Sequence, residues 1–202
     1  MKFKLLPSLS KAEQELFLKN LNYLNIKEYQ GFCDRHRIPY SIFVRTEKGL
    51  KKTNDKDRKK VILQRIRHFL SHGEILECTI FPDRIVCKTK LKVFSPTTIL
   101  HYGQYDKKNP KFIKALQSLT DGEFRSGMIA RIVVRDFWTR GIAPTFKQYA
   151  SAWTRANRAN TKRHPEAAYL SDLAEGTADA GWKKLRIEKS KEALAVLDKI
   201  RP

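Results

Sequence analysis

Residues 45–67, RTEKGLKKTNDKDRKKVILQRIR, join a dense run of cations to the beginning of an apolar helical repeat. Ten of these residues are Lys or Arg, and three are Asp or Glu. Val61, Ile62 and Ile66 begin the repeat, which continues to Phe69 and Leu70. Apolar residues three and four apart predict one packed face of a helix. The stretch therefore predicts a folded helix with a cationic edge, not a disordered basic tail.

The cationic excess extends along the whole chain. There are 41 Lys and Arg residues against 21 Asp and Glu, which gives a formal net charge of +20. Repulsion among like charges opposes compaction, and a polyanion relieves it. Nucleic acid is the commonest such partner, because neutralising its phosphates releases condensed counterions. Charge alone also allows the alternative of a basic surface that only keeps the protein soluble.

Composition narrows the class of protein. Hydrophobic residues make up 41% of the chain, with eleven Phe, seven Tyr and three Trp, enough for packed cores. Cys33, Cys78 and Cys87 lack CxxC spacing and are odd in number, which favours reduced thiols in a cytoplasmic or nucleoid-associated protein that is not secreted. We expect no membrane span, because no apolar run approaches about 20 residues. We also expect no cofactor and no metal site, since no zinc-ligand spacing is present.

The first half of the chain predicts two helices, a loop and the basic helix. Ser10 and Glu13 have the spacing of a capping box at the start of a helix that runs to Asn25. A second helix is expected from Ile26 or Lys27 to Arg35. Residues 41–54 are expected to be an extended and then polar loop. Asp55 is the expected N-cap of the basic helix, and Gly73 its end.

The rest of the chain predicts a hairpin and then helices. Residues 75–81 and 84–90, separated by Pro82-Asp83, are expected to form a short β-hairpin. Four helices follow, at about 109–120, 126–140, 145–158 and 177–200, with another beginning near Pro165. The predicted inward residues are Phe112, Ile113, Leu116, Leu119, Ile129, Ile132, Val133, Phe137, Phe146, Tyr149, Ala150, Trp153, Trp182, Leu185, Leu194 and Leu197. The fold class is thus mainly α with a small β-hairpin (α+β), in two domains at 1–92 and 109–202 joined by a connector at 93–108.

Residues 20–72 resemble a SAP-like module, a small helix–extension–helix unit that binds DNA. Its first helix is matched by Leu24, Tyr29, Phe32 and Cys33, and its extension by Ile38 and Pro39. Its second helix is matched by Lys59, Val61, Ile62, Leu63, Arg65, Ile66, Phe69 and Leu70. The resemblance implies contact with the DNA backbone through the start of the second helix and its basic flank.

Two cationic surfaces are therefore the candidate binding sites. A helix N-terminus attracts phosphate through its unpaired N–H groups and its dipole. The first surface, around the start of the basic helix, comprises Lys56, Arg58, Lys59, Lys60 and Arg67, with Arg45, Lys48, Lys51 and Lys52 on the loop before it. The second, on two C-terminal helices whose short link also allows a helix-turn-helix interpretation, comprises Arg131, Arg135, Arg155, Arg158, Lys162 and Arg163.

These residues favour non-catalytic nucleic-acid binding, with DNA held mainly through its phosphates. One alternative is an RNA-binding or ribonucleoprotein component, because the 2′-hydroxyl contacts that discriminate RNA are invisible in a sequence. Another is an adapter or inhibitor that docks on an acidic protein surface, within a larger nucleoprotein complex. A hydrolase using His101, Tyr102 and Asp106 is a further hypothesis, although no nucleophile or metal partner has a recognisable spacing. We therefore expect no enzyme activity.

Overall fold

The computed structural model describes residues 3–159 and 180–200. Its described part contains seven α-helices and one three-stranded sheet, which confirms the α+β class. The helices are α1 (Lys11–Leu21), α2 (Ile26–Arg35), α3 (Lys59–His72), α4 (Pro110–Ser118), α5 (Met128–Thr139), α6 (Phe146–Ala159) and α7 (Ala180–Leu197). The strands are β1 (Ser41–Thr46), β2 (Gly49–Lys56) and β3 (Thr79–Phe81), and a 3-10 turn covers Asp83–Ile85.

Local capping fixes several helix ends as predicted. The Ser10 hydroxyl accepts from the Glu13 amide, and the Glu13 carboxylate accepts from the Ser10 amide at 2.7 Å. Asn109 caps α4 directly before Pro110. Gly73 ends α3 in the left-handed region, at φ 74°. Each of these signals lies within four residues of the helix end that it defines, so sequence alone can identify it.

The chain divides into two compact units that alternate along the sequence. Within the described residues, the first unit is 3–41, 54–78 and 180–200, and the second is 42–53 and 79–159. This division differs from the boundary expected at 93–108. Ala193, Leu197 and Ile200 lie in the core of the first unit although they come from the end of the chain. Periodicity shows which face of a helix is apolar, but not which distant segment will cover it.

The core of the first unit joins α1, α2, α3 and α7. Its fully buried side chains include Leu21, Tyr29, Phe32, Ile62 and Ile66. Two ion pairs connect distant parts of this unit. Arg186 of α7 pairs with Glu28 of α2 at 2.8 Å, and Arg35 pairs with Asp198 at 2.7 Å. Leu185, a predicted anchor of α7, is instead 38% exposed. The side chain of Trp182 and the helix expected after Pro165 lie outside the described residues.

Arg65 holds together three separated segments of the first unit. Its guanidinium donates to the carbonyl of Pro39 at 2.9 Å, to the Asp57 carboxylate, and to the carbonyl of Glu77 at 3.1 Å. Arg65 and Asp57 are each only 6% exposed. Residues 39, 57 and 77 flank the points where the chain leaves or re-enters this unit. One buried cation on α3 therefore joins three separated segments of the first unit.

The second unit packs α4, α5 and α6 with the sheet. The strand order is β2-β1-β3, and β1 pairs in parallel with β3 through Ile42–Thr79, Phe43–Ile80 and Val44–Phe81. The core is rich in edge-to-face ring pairs that include Phe112, Phe146 and Tyr149. On α5 the buried face is Ala130, Val133, Val134 and Trp138, shifted from the predicted face of Ile129, Ile132, Val133 and Phe137.

The hairpin lies at a different place in the sequence than predicted. Residues 41–54, expected to be a loop, belong to the β1–β2 hairpin, whose two-residue connection requires antiparallel strands. In the expected hairpin at 75–90, only Thr79–Phe81 forms one of the three strands of the sheet. Pro82 then leads into the 3-10 turn. The sequence of β2, GLKKTNDK, has little intrinsic strand preference, so its pairing with the apolar β1 decides its conformation.

Candidate nucleic-acid interface

A cluster of exposed cations lies on the β1–β2 hairpin. We call residues 45–52, which contain the turn, the hairpin tip. Arg45, Lys48, Lys51 and Lys52 are all exposed there, with Glu47 as the one acidic residue. Within residues 3–159 and 180–200, none of the four cations takes part in an ion pair. Their charge is therefore available to a partner outside the chain.

The hairpin tip extends beyond the three-stranded part of the sheet. β3 pairs only with residues 42–44 of β1, and β2 is at the edge of the sheet. The base is fixed by Ile42 and Val44 in the core, and by a hydrogen bond of 2.8 Å from the Thr53 hydroxyl to the Ile42 carbonyl. The tip is thus a two-stranded ribbon whose base is packed in the core. The four cations of the tip were predicted as binding residues, but on a loop and not on a ribbon.

The start of α3 does not form the cluster of cations that was predicted for it. α3 begins at Lys59 with Arg58 as its N-cap, so Lys56 ends β2 and lies outside the helix. The Lys56 ammonium lies over the Tyr40 ring, 4.5 Å from its centroid. Asp55, the expected N-cap, does not cap the helix, and the placement of Lys56 at the start of the helix is wrong.

Two further cations near α3 are turned into the protein. The Lys59 ammonium donates to the carbonyl of Asn22 and lies 5.4 Å from the centroid of the Tyr29 ring. Arg67 is half-buried, and its Nε is buried without a hydrogen-bond partner among the described residues. Of the predicted helix-start group, Lys60 alone is exposed with no hydrogen bond, ion pair or ring contact among the described residues. Lys59 thus stabilises the packing of α3 on the α1–α2 connection.

The second predicted surface is only partly described. Arg131, Arg155 and Arg158 are exposed and Arg135 is half-buried, whereas Lys162 and Arg163 lie outside the described residues. The apolar stripe of α6 is core as predicted, because Phe146, Tyr149, Ala150 and Trp153 are all buried. α5 packs on α6, and its N-terminus at Gly127 has no side-chain cap. These arginines are carried by two helices of the second unit.

Three exposed lysines were missed by the sequence analysis. Lys88, Lys90 and Lys92 alternate in the stretch KTKLK and are all exposed. Residues 84–90 were predicted to be a strand because they are rich in β-branched residues, and these lysines were not among the predicted binding residues. They belong to the second unit, as the hairpin tip does.

The residues of the hydrolase hypothesis have separate structural partners. The His101 ring lies 3.2 Å from the Gln104 side-chain oxygen, and Asp106 accepts from the Lys108 amide at 3.0 Å. The Tyr102 ring packs edge-to-face on Phe81 and Trp138. Nothing in these contacts aligns an acid with a base. The described part of the chain also holds no group of three His, Cys, Asp or Glu residues placed to ligate a metal.

The thiol environments differ along the chain. Cys33 is buried in the first core, and burial, with a smaller effect of Asp34, raises its pKa to about 12. Cys78 and Cys87 are half-buried and unbridged. The Cys33 thiol is therefore protonated at neutral pH and packs as a small apolar side chain. No helix within the described ranges is both apolar enough and long enough to cross a bilayer.

Comparison of the chain with protein-family models, with curated proteins and with solved structures finds no match. Function is therefore inferred from the residues and their geometry alone.

Proposed function

We propose that this protein binds nucleic acid without catalysis, with DNA the favoured partner, mainly through phosphate contacts. The observation that carries the proposal is the hairpin tip, where four exposed cations have no ion-pair partner among the described residues. Ile42 and Val44 pack the base of the hairpin in the second core, so the ribbon backbone is already formed and mainly the four long side chains become ordered on binding. The overall charge of +20 adds long-range attraction for a polyanion. The three cysteines, Cys33, Cys78 and Cys87, form no disulfide, which supports a cytoplasmic or nucleoid location.

The SAP-like resemblance supports the same class of partner by a different route. α2 and α3, which correspond to the two helices of the resemblance, pack on each other in the first unit. The segment between them holds the β1–β2 hairpin, so the basic flank of α3 is a ribbon here. The resemblance implied that the start of the second helix contacts the DNA backbone. We propose that the ribbon makes this contact instead.

A competing explanation is that the lysines only protect an edge strand. Lys on an edge discourages pairing with a second sheet, and β2 is such an edge. That explanation predicts self-association when the cations are removed, with no effect on nucleic-acid affinity. The phosphate proposal predicts loss of affinity in a protein that stays monodisperse.

The experiment compares two variants that remove the same charge. Arg45, Lys48, Lys51 and Lys52 are changed together to Gln, and the control changes Lys11, Lys19, Lys27 and Lys191, exposed lysines on helices of the first unit. Binding to a duplex is measured by fluorescence anisotropy from low to high salt. Each lost phosphate contact makes the negative slope of log K against log salt shallower by about 0.9, so we expect its magnitude to decrease by roughly three to four in the hairpin variant.

The control variant should retain more of the wild-type slope. It loses four positive charges of the first unit but keeps the four cations of the hairpin tip. Equal losses in the two variants would mean that net charge alone drives binding. A wild-type protein that binds neither duplexes nor single strands at low salt would remove the proposal altogether. Size-exclusion chromatography of both variants tests the edge-protection explanation.

A further inference from the structure

We infer that the hairpin tip enters the major groove of B-form duplex DNA, with Leu50 in contact with the groove. This inference rests on the proposed function and specifies its ligand. It begins from shape. Two hydrogen-bonded strands lie about 4.8 Å apart, and a two-stranded ribbon fits the major groove, which is about 12 Å wide. Beyond residue 44 the tip has no third strand, so nothing in the described sheet widens it.

The distribution of charge favours a groove over a flat surface. Lys51 and Lys52 are neighbours in β2, so their side chains leave opposite faces of the ribbon. A phosphate surface on one side would meet only one of them. The two walls of a groove carry phosphates on both sides of an inserted ribbon. Arg45 on β1 and Lys48 in the turn extend the same positive potential to the end of the ribbon.

Leu50 provides an apolar contact at the tip. Its side chain is 49% exposed between Gly49 and Lys51, and it belongs to neither hydrophobic core. A scattered exposed leucine needs no explanation by itself. On a ribbon surrounded by cations, however, it is the group that can contact thymine methyls or the apolar edges of bases. Gly49, at φ 104°, has no heavy atom within 4 Å of an added Cβ, so its backbone is also open to close approach.

The same features disfavour the other nucleic-acid forms. The tip, RTEKGLKK, has no aromatic side chain, whereas single-strand binding depends on stacking of bases on aromatic rings. The major groove of A-form RNA is deep and too narrow for side chains to read. A ribbon of this width therefore fits B-form DNA best among the three.

The test uses the full chain and four ligands of matched sequence. These are a DNA duplex, the corresponding RNA duplex, single-stranded DNA, and a DNA duplex in which every cytosine carries a glucosylated 5-hydroxymethyl group. The glucose fills the major groove in every register and leaves the phosphates unchanged. We expect the RNA duplex and the glucosylated duplex to bind about tenfold or more weakly than the plain duplex, since groove contacts are lost. The hairpin Gln variant should lose this preference.

A second pair of variants tests Leu50 in the plain duplex. We expect Leu50→Ser to weaken binding by roughly threefold with an unchanged salt slope, because an apolar contact releases no counterions. Leu16→Ser, at a leucine 52% exposed on α1, should bind as the wild type does. Equal affinities of these two variants would contradict the placement of Leu50.

The groove inference and the proposed function fail in different ways. Equal affinity of the wild type for plain and glucosylated duplexes would overturn major-groove entry while leaving phosphate binding intact. Equal affinity for the DNA and RNA duplexes would also overturn major-groove entry and leave phosphate binding intact. Absence of binding to all four ligands would overturn both.

Discussion

Arg65 joins three separated segments of the first unit through one buried guanidinium. The guanidinium and the Asp57 carboxylate are buried together, and two backbone carbonyls accept its other hydrogen bonds. Removing one partner of a buried ion pair leaves an uncompensated charge, which is costlier than never having had the pair. The chemistry of this position is structural, although Arg65 lies in the most basic stretch of the chain.

We predict that Arg65→Met lowers the free energy of unfolding by about 3–5 kcal/mol, because Asp57 is left buried and unpaired. Urea unfolding followed by circular dichroism measures this. Arg67→Met, two residues along α3, is the matched control and should change stability by less than about 1 kcal/mol. The double variant Asp57→Ala with Arg65→Met should recover part of the loss. An Arg65→Met variant as stable as the wild type would show that the pair is not important for stability.

His36 is a buried imidazole whose titration should appear in the stability of the first unit. It packs on the Phe32 and Phe69 rings, and its Nε2 is buried with no hydrogen-bond partner in the described residues. Burial, and secondarily the charge of Arg35, lowers its pKa. The native protein therefore holds this ring neutral at pH values where the unfolded chain binds a proton.

We predict that the stability due to neutral His36 is present above the ordinary histidine pKa of about 6.5 and is lost as pH falls toward the lowered native pKa. Urea midpoints at pH 8 and pH 5.5 measure the loss. His36→Gln should reduce the difference between the two midpoints, whereas His72→Gln, at the exposed end of α3, should retain it. An unchanged difference in His36→Gln would assign the acid sensitivity to other groups.

At the scale of elements, the apolar pattern of α7 predicted more buried residues than the structure contains. Leu185, Leu194 and Leu197 were all predicted anchors, but only Leu197 is fully buried and Leu194 is partly buried. α7 packs on α1, and its last turns supply the contacts with the first core. Its first turns carry Arg186, which pairs with Glu28.

We predict that Leu197→Ala costs about 2–5 kcal/mol, as expected for a fully buried leucine whose removal leaves a cavity. Leu185→Ala should cost less than about 1 kcal/mol, because its side chain is already in contact with solvent. Chemical denaturation of the two variants and the wild type compares them directly. Similar costs at the two positions would mean that α7 is packed along its whole length.

At the scale of the whole molecule, the alternation of the two units has a consequence for dissection of the chain. A cut at the boundary expected from sequence removes Ala193, Leu197 and Ile200 from the first core. Each unit is also built from segments that are far apart in the chain. Neither fragment therefore contains all of the apolar surface that its unit buries.

We predict that a fragment of residues 1–92 unfolds without a cooperative transition, because the face of α1 that packs on α7 is left uncovered. Thermal unfolding by calorimetry measures this, with the full chain as reference. Adding residues 177–202 to the same fragment through a flexible linker should restore a sharp transition. A cooperative transition in the 1–92 fragment alone would show that α7 is dispensable to this unit.

Local signals in the sequence were sufficient for much of the helical framework. The Ser10–Glu13 capping box, Asn109 before Pro110, the left-handed Gly73 and the buried stripe of α6 were all confirmed. Each depends on residues within about two turns of one another, where spacing alone determines which groups meet. The cations of residues 45–52 were likewise identified from composition, because charge needs no partner to be recognised.

Long-range packing decided the rest. β2 became a strand because β1 offered it a partner, Arg65 became buried because three separated segments converge on it, and α7 joined α1 across most of the chain. None of these outcomes follows from periodicity, since each depends on contacts between residues far apart in sequence. The sequence by itself thus determined which cations and helices this protein has. Only the tertiary structure decided that the exposed cations of residues 45–52 lie on a two-stranded ribbon and that Arg65 is buried in an ion pair with Asp57.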